Sequence, residues 1–344
     1  MKQILNTLYV MTQGSYIHLD NETVRIEVDG ETRLRVPLHH LGSVVTMGNV
    51  LISPQLLAKC ARDGRSVTLL DRNGRFSCRM EGPVSGNILL RHAQNDAFRD
   101  PVRSDEVARS IIAGKLRNSR VLLRRSAREN TESVESAALT GAADHLDGLL
   151  SRLRNAKGVN IMRGIEGEGA KVYFGVFSLM LKPAARDDFV FTERNRRPPR
   201  DRINALLSFL YTLLLHDAVS AAEGVGLDPR EGFLHVIRPG RPALGLDLIE
   251  EFRAQIADRL TLMLINRKQL SVTDFDERPG GAVLLNENGR KTVLQAYQKR
   301  KQEEMVHPLF SEKVPVGMLP HIQARLLARH LRGESEHYLP MQFR

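Results

Sequence analysis

Glu166 is the first of several residues whose type and setting could do chemistry. It lies in the segment RGIEGEGAKVYF (163–174), among Gly164, Gly167 and Gly169. Glycine destabilises a helix interior, but it lets another backbone or a bulky ligand come close. Taken alone, the segment is more simply interpreted as a helix N-terminus, where Glu166 and Glu168 complement the helix dipole.

Two further segments carry an imidazole and a pair of carboxylates. His235 follows Gly232-Phe-Leu and precedes the loop VIRPGRP, and a lone histidine beside apolar residues is more often a core residue than a ligand. Asp247 and Glu250 are three residues apart in PALGLDLIEEF (242–252), so a helix places both carboxylates on one face. Two acids so close repel each other unless a cation or a base lies between them. The same pattern also fits an ordinary amphipathic surface helix.

Together these three segments offer a hard, oxygen-rich set of ligands. One imidazole and two or three carboxylates suit Mg²⁺ or Mn²⁺ rather than thiolate-binding zinc. A divalent ion beside a phosphodiester can polarise the phosphoryl oxygen and lower the pKa of an attacking hydroxyl. The predicted chemistry is therefore phosphodiester cleavage or strand transfer, with Glu166, His235 and Glu250 as metal ligands and Asp247 assisting them.

The charge balance fits a polyanionic partner. The 344 residues include 50 Lys and Arg against 40 Asp and Glu, a net charge of +10, which suits DNA, RNA or an anionic membrane surface. Three clusters carry much of the excess: residues 109–128 of a predicted helix, the segment ERNRRPPRDR (193–202) and YQKRK (297–301). The residues we expect to contact DNA phosphates are Arg117, Arg120, Arg124, Arg196, Arg197, Lys299 and Arg300. For the helical cluster, acids elsewhere in the fold would explain the charges equally well.

The pattern along the chain predicts an α+β fold. Residues 1–85 predict a small β-sandwich-like domain, because β-branched runs at 23–28 and 66–70 alternate with turn signals such as Asp29-Gly30, and Asn73-Gly74 separates VTLLDR from RFSCRM as in a hairpin. One helix over 54–64 interrupts the strands. A linker follows over 86–101, and 102–344 predict a larger, all-α catalytic domain. Its helices are expected near 104–128, 131–155, 160–182, 201–223, 243–266, 289–304 and 319–332.

Cysteine usage and hydropathy indicate a cytoplasmic protein. Cys60 and Cys78 are too far apart for a CxxC motif, and two cysteines alone make neither a zinc cluster nor a disulfide framework. The N-terminus does not have the long apolar run of a signal peptide. The apolar run 203–215 is too short to span a bilayer, so we expect a buried core helix and no membrane association.

Four segments together resemble a known family. They are RGIEGEGAKVYF, NRRPPRDRINALLSFLYTLL, GFLHVIRPGRPALGLDLIEEFR and QKRKQEEMVHP, and they resemble the CRISPR-associated integrase–endonuclease of spacer acquisition, here the Cas-one family. The resemblance covers nearly the whole chain. The segment HPLFSEKVPVGMLPHIQARLLARHLRG is similar to the subtype I-C branch of that family.

This resemblance implies roles for the candidate residues. The metal-binding glutamate of the family's IEG motif falls on Glu166, its histidine on His235, and its two later acids on Asp247 and Glu250. Many members carry aspartate where this chain has Glu250, which lengthens that ligand without changing its type. Family members use Mg²⁺ or Mn²⁺ and insert the 3′-OH ends of a short double-stranded DNA into a CRISPR array by transesterification.

The resemblance also implies partners. Homodimers of the family flank a dimer of a small Cas-two protein in a heterohexameric complex. Two other functions remain open from the residues themselves. One is a DNA-binding scaffold without catalysis, which needs the basic clusters but not the acids. The other is a metal-dependent hydrolase of small phosphate esters, which predicts a small enclosed pocket.

Overall fold

The chain forms two compact units, 1–85 and 86–344, in the computed structural model. The structure describes residues 7–72, 76–80, 82, 88–130 and 132–343.

The N-terminal unit is built from two four-stranded sheets and one helix. The first sheet has the order β1-β5-β7-β8 and the second β4-β3-β2-β6. The strands are β1 (Thr7–Val10), β2 (Ser15–Asp20), β3 (Thr23–Val28), β4 (Glu31–Pro37), β5 (Ser43–Met47), β6 (Val50–Ile52), β7 (Ser66–Leu70) and β8 (Phe76–Met80). Helix α1 (Pro54–Arg62) lies between β6 and β7 in the chain. Residues of both sheets and of α1 share one apolar core.

Local sequence explains these elements. In β3, Val24 and Ile26 alternate with polar residues and are buried, as a strand with one core face requires. Asp29 and Gly30 both adopt positive φ, which the two-residue hairpin turn between β3 and β4 needs. Ser53 caps α1, accepting from the backbone N–H of Leu56 at 3.2 Å. Strands β7 and β8 pair as a predicted hairpin, although the predicted turn at Asn73-Gly74 lies outside the described residues.

The second unit consists mainly of helices. They are α2 (Ile88–Arg99), α3 (Pro101–Glu129), α4 (Ser133–Asn155), α5 (Val159–Gly175), α6 (Arg202–Gly224), α7 (Ala243–Ile249), α8 (Arg259–Asn266), α9 (Glu287–Gln302) and α10 (Leu319–Leu331). A π-helical turn, Arg253–Asp258, runs directly into α8. Helices α3, α4 and α5 pack against one another, and α6 packs against α7 and α10.

Three predictions for this unit need correction. The unit is not all helical, because β9 (Phe275–Arg278) pairs with β10 (Ala282–Leu285) and β11 (Glu304–Val306) pairs with β12 (Lys313–Pro315). The predicted linker over 86–101 contains α2, whose Leu90, Gln94 and Ala97 are buried on one side, so tertiary packing stabilises a helix there. The predicted helix over 243–266 is divided into α7, the π-helical turn and α8.

Two helix ends also differ from the prediction. Helix α3 starts at Pro101 rather than near 104, because the Asp100 side chain accepts from the N–H groups of Val102 and Arg103 and caps it. Helix α5 ends at Gly175, and short 3₁₀ turns replace the expected continuation to 182.

Helix α6 contains the apolar run that the sequence analysis assigned to the core. By length and composition it is the one helix among the described residues that could cross a membrane. Thirteen of its residues, including Leu206, Leu210 and Leu214, are nevertheless buried within this unit. That burial is what a core helix shows.

Close packing brings α5 onto α3. A Cβ built at Gly169 would lie 2.5 Å from the Leu116 side chain of α3 and 3.4 Å from Leu149 of α4. Only glycine fits at such an approach. The expectation that these glycines allow a close approach is therefore met at Gly169, whereas Gly164 and Gly167 have no such neighbour within 4 Å.

The C-terminal residues hold the connection between α7 and the π-helical turn. The fully buried carboxylate of Glu251 accepts from Tyr338 Oη, from Gln323 Nε2 at 2.9 Å and from the Met341 N–H at 2.7 Å. Asn118 of α3 donates to the Met341 carbonyl at 2.8 Å. The tail is therefore part of the framework that fixes Glu250, the residue before Glu251.

Candidate metal centre

Two of the predicted ligands face a common cation. The ammonium of Lys115, on α3, contacts the Glu166 carboxylate of α5 and lies 2.9 Å from Oε2 of Glu250. Glu250 follows the last residue of α7, and its side chain is only 2% exposed. Three helices thus bring one positive group and two carboxylates to one point.

The second oxygen of Glu250 faces two more basic groups. Oε1 of Glu250 lies 2.5 Å from Nη1 of Arg253 and 3.7 Å from Nε2 of His235. Arg253 is three residues further along, on the π-helical turn, where helical spacing places it over Glu250. We call Lys115, Glu166, His235, Glu250 and Arg253 the Glu250 cluster.

Asp247 orients His235 and does not itself point at Lys115. Its side chain is fully buried, and one oxygen accepts from His235 Nδ1 at 2.7 Å and from the His235 N–H at 2.9 Å. The other oxygen accepts from the N–H groups of Phe233 and Leu234 at 2.6 and 3.0 Å. Because the carboxylate can only accept, Nδ1 of His235 donates, and Nε2, which faces Glu250, is the ring nitrogen left for a metal ion.

Glycine at 232 makes this arrangement possible. A Cβ built at Gly232 would lie 2.6 Å from Oδ2 of Asp247 and 2.6 Å from the carbonyl carbon of Ala243. The loop can therefore wrap directly over the start of α7. Arg163 of α5 also holds the loop, since its Nε donates to the Leu234 carbonyl at 2.6 Å.

Opposite charges dominate the titration of the Glu250 cluster. Burial alone would raise the pKa of Glu250, but the charges of Arg253, Lys115 and His235 lower it to about 2. Burial opposes the charged form of Lys115, yet Glu250 and Glu166 raise the pKa of its ammonium above the ordinary value. The carboxylate of Glu250 is therefore ionised at neutral pH and ready to bind a cation.

The residues fit a hard divalent metal ion. Glu166 and Glu250 already converge on one cation, the Lys115 ammonium, and the free nitrogen of His235 lies beside Glu250. Carboxylate oxygens and one imidazole are the donors that Mg²⁺ and Mn²⁺ accept. Within the described ranges, no three His, Cys, Asp or Glu side chains are already gathered around one point, and the Lys115 ammonium contacts both Glu166 and Glu250.

A basic pocket adjoins the cluster. Lys115, Glu166 and Arg253 line it together with Arg194 and Arg196 from the predicted basic segment 193–202. The Arg194 guanidinium is fixed by Asn204 Oδ1 at 2.6 Å, whereas Arg196 is exposed. The fold therefore brings the second basic cluster of the sequence to the candidate metal ligands.

The basic face of α3 is largely neutralised. Arg120 is ion-paired with Asp147 of α4, and Arg124 lies 2.8 Å from Asp147 and 3.2 Å from Asp144. The alternative interpretation, in which acids of another element neutralise the basic helix face, therefore applies to Arg120 and Arg124. Arg117 is half-buried and makes no ion pair within the described part of the chain.

The other predicted DNA contacts fall into two groups. Arg196, Arg197 and Lys299 are exposed, and no ion pair involves them among the residues that the structure describes. Arg300 is ion-paired with Glu303. Its neighbour Lys301 is buried and lies 2.8 Å from Asp217, so part of this basic segment belongs to the core.

Lys115 and Arg253 are not among the site residues that the sequence predicts. Lys115 belongs to the basic run 109–128, and it is the member of that run that contacts Glu166 and Glu250. Arg253 stands three residues after Glu250, and this spacing was the signal that could have identified it.

Comparisons with known proteins agree on one family. Residues 8–299 match the family described as "CRISPR associated protein Cas1". The chain is 54% identical over 344 residues to the CRISPR-associated endonuclease Cas1 1 of Moorella thermoacetica, covering 100% of both chains. It is 49% identical to the CRISPR-associated endonuclease Cas1 2 of Rhodospirillum rubrum, covering 99% of both.

Solved structures share the fold. A casposase bound to an integration product matches with a TM-score of 0.83 and 21% identity, over 99% of this chain and 95% of that one. A CAS1 protein from Thermotoga maritima also matches with a TM-score of 0.83, at 23% identity, over 97% and 99%. The chain further matches 36% of a chain in a Cas6-RT-Cas1–Cas2 complex, with a TM-score of 0.82 and 21% identity over 99% of this chain.

Proposed function

Because this chain belongs to the CRISPR-associated Cas1 family, we propose that it is a metal-dependent DNA endonuclease and integrase of CRISPR adaptation. The curated relatives that it matches along their whole length are named endonucleases. The casposase that shares its fold is bound to an integration product, so this fold is compatible with strand transfer.

The observation that carries the proposal is the convergence of Glu166, Glu250 and His235 on one site. Ion pairs are common on protein surfaces, but here two carboxylates and an imidazole from separate segments meet in a nearly closed interior, where Lys115 and Arg253 supply the compensating charge. A DNA-binding scaffold would need the basic residues, but it would not need this buried acidic centre beside them.

The proposed roles follow from the contacts. Glu166, Glu250 and Nε2 of His235 hold Mg²⁺ or Mn²⁺, which when bound polarises the phosphodiester and activates the attacking hydroxyl. Asp247 fixes the ring of His235, and Arg253 keeps Glu250 ionised. Metal entry requires Lys115 to release at least one of the two carboxylates that it now contacts.

The attacking group in the proposed integration is the 3′-OH of the incoming DNA. That oxygen forms a new bond to a phosphorus of the target strand, and the 3′-oxygen of the cut strand leaves with a proton. Arg196, with Arg194 behind it, lines the pocket where a phosphate would approach the Glu250 cluster. The substrate that fits is double-stranded DNA, which meets the positive groups through its phosphates.

The partners belong to the same proposal. The complex that shares this fold contains Cas2 as well as Cas1, and we propose that this chain works as a homodimer with such a small partner in a heterohexamer. A cytoplasmic location and membership of the subtype I-C branch complete the proposal.

Joining of a labelled short duplex into a plasmid with a CRISPR array tests this function. His235→Ala is expected to lower joining at least about a hundredfold, because one ligand is lost. His145→Ala is the matched control, since His145 is an exposed imidazole that pairs with Glu168. Undiminished joining by a folded His235→Ala protein would refute the assignment of the site.

A further inference from the structure

A cleft of about 330 Å³ opens in the helical unit, separate from the Glu250 cluster. Its polar lining includes Gln255, Arg259, Arg300, His307, Ser311 and Gln342. The volume lies at the lower end of the range of ligand pockets, roughly 300 to 1,000 Å³. It is large enough for a phosphate group with part of the molecule that carries it.

The charges around this cleft do not balance. Arg125 lies 2.8 Å from Glu129, and Arg300 is ion-paired with Glu303. Arg259 makes no ion pair or hydrogen bond with any residue that the structure describes. Three guanidinium groups and two carboxylates leave one positive charge, and it belongs to the arginine that lines the cleft.

The setting of Arg259 makes an anion favourable. Burial lowers the pKa of its guanidinium, and the positive charges of Arg125 and Arg300 lower it further. A half-buried cation without a hydrogen bond to the described protein residues has lost part of its hydration and gained no protein partner in exchange. An anion in the cleft would restore that interaction, and a guanidinium can bind a phosphate through two parallel N–H···O bonds.

We propose that this cleft binds a phosphate group, with Arg259 as its ion-pairing residue. The exposed side chains of Ser311 and Gln342 supply a hydroxyl and an amide as further donors at its rim. His307 adds no charge at neutral pH, because burial lowers the pKa of its imidazole. The phosphate comes from a nucleic-acid backbone or from a free phosphate compound.

Its place in the fold favours the nucleic-acid backbone, and this preference rests on the proposed function. Arg259 begins α8 directly after the π-helical turn, and Arg253 on that turn contacts Glu250. The same helical run therefore carries one arginine in the Glu250 cluster and another, six residues later, in the cleft. Six helical residues span about 9 Å along the axis, so the cleft lies within reach of a DNA strand whose reacting phosphate is at the cluster.

Binding of a labelled DNA duplex in the absence of metal, at several salt concentrations, tests whether the phosphate belongs to a nucleic-acid backbone. Arg259→Gln is expected to bind DNA several-fold more weakly, with the slope of log affinity against log salt reduced by about one. Arg259→Lys keeps the charge and should preserve most of the slope. Arg329→Gln is the control, because Arg329 is exposed and already paired with Glu334 at 3.1 Å.

Thermal unfolding tests whether the cleft binds a free phosphate compound. Inorganic phosphate is added at constant ionic strength, and chloride is the reference anion. The wild-type melting temperature should rise with phosphate, and Arg259→Gln should abolish that rise. A loss in both assays, or in the DNA assay alone, supports a backbone site, and a loss with phosphate alone supports a free-phosphate site.

A folded Arg259→Gln protein that matches Arg329→Gln in both assays would overturn the proposal. If the wild type does not bind DNA, the proposed function fails, but the phosphate assay still decides the nature of the cleft.

Discussion

The Glu250 cluster and the outer surface of α3 and α4 both contain carboxylates paired with Lys or Arg side chains, but the two regions differ in burial. On the outer surface, Arg120 and Arg124 meet Asp144 and Asp147, whose side chains remain between about a third and two thirds exposed. In the cluster, Lys115 and Arg253 meet Glu250, which is 2% exposed. Solvent screens the first set of charges, whereas the second set must compensate one another.

This difference shows which charges can act on a ligand. An exposed ion pair contributes about 0–1 kcal/mol to stability, because both of its side chains remain in contact with solvent. A buried carboxylate held ionised by cations is poised to exchange one of them for a metal ion. Residue type alone did not separate the two regions, since the run along α3 supplies Lys115 to one and Arg120 and Arg124 to the other.

The largest expected effect is on stability in the buried region. Glu250→Gln leaves Lys115 and Arg253 without their shared carboxylate and is expected to cost about 3–5 kcal/mol. Asp147→Asn, on the outer surface, should cost less than about 1 kcal/mol. Denaturant unfolding of both variants without metal measures the contrast. Equal losses would remove the distinction between the two regions.

The sequence predicts much of this site, but not its centre. Spacing alone brings Asp247 of α7 close to Glu250, which follows that helix, and the resemblance connects them with Glu166 and His235. The role of Lys115 depends on which face of α3 meets α5, and that contact is set by Gly169 packing against Leu116. Tertiary contacts between distant segments also decide that α2 is helical and that a π-helical turn follows α7.

A second buried carboxylate sharpens the comparison, because hydroxyl groups rather than cations contact it. Asp258 accepts from Tyr173 and Tyr211 at 2.8 and 2.7 Å, and burial raises its pKa from 3.8 to about 6. A carboxyl group whose folded pKa is raised stabilises the protein below pH ~4, and this contribution is lost as the pH rises through 6. Two pKa units correspond to about 3 kcal/mol.

Thermal unfolding between pH 4 and 7 measures this contribution. Asp258→Asn should reduce the fall in stability over that window, because the amide does not ionise. An unchanged pH profile in the variant would contradict the assignment of a buried, protonatable Asp258.

Asp247→Asn tests whether the orientation of His235 matters. An amide in place of the carboxylate cannot accept from all the N–H groups that now contact Asp247, so the ring should lose its fixed position. Loss of such a supporting group typically lowers metal affinity about 10- to 100-fold. Asp144→Asn on the outer surface should leave Mn²⁺ affinity unchanged. Calorimetric titration compares the two, and equal affinities would make Asp247 a purely structural residue.

The smallest effect concerns DNA affinity. Replacing both Arg196 and Arg197 by glutamine removes two exposed charges, so the salt slope of DNA binding should fall by about two. Replacing Arg120 and Arg124, which already face carboxylates, should change the slope much less. Fluorescence anisotropy at several salt concentrations measures both. A larger change in slope from replacing Arg120 and Arg124 would show that the basic face of α3 is part of the DNA-binding surface.

Calorimetric titration of Mn²⁺ into the metal-free protein tests the central claim most directly. Glu166 and Glu168 are two residues apart on α5, but only Glu166 contacts Lys115, while Glu168 pairs with His145 and Arg152. We expect one site in the wild type, the same site in Glu168→Gln and its loss in Glu166→Gln. Equal Mn²⁺ binding by folded Glu166→Gln and Glu168→Gln proteins would contradict a metal site at the Glu250 cluster.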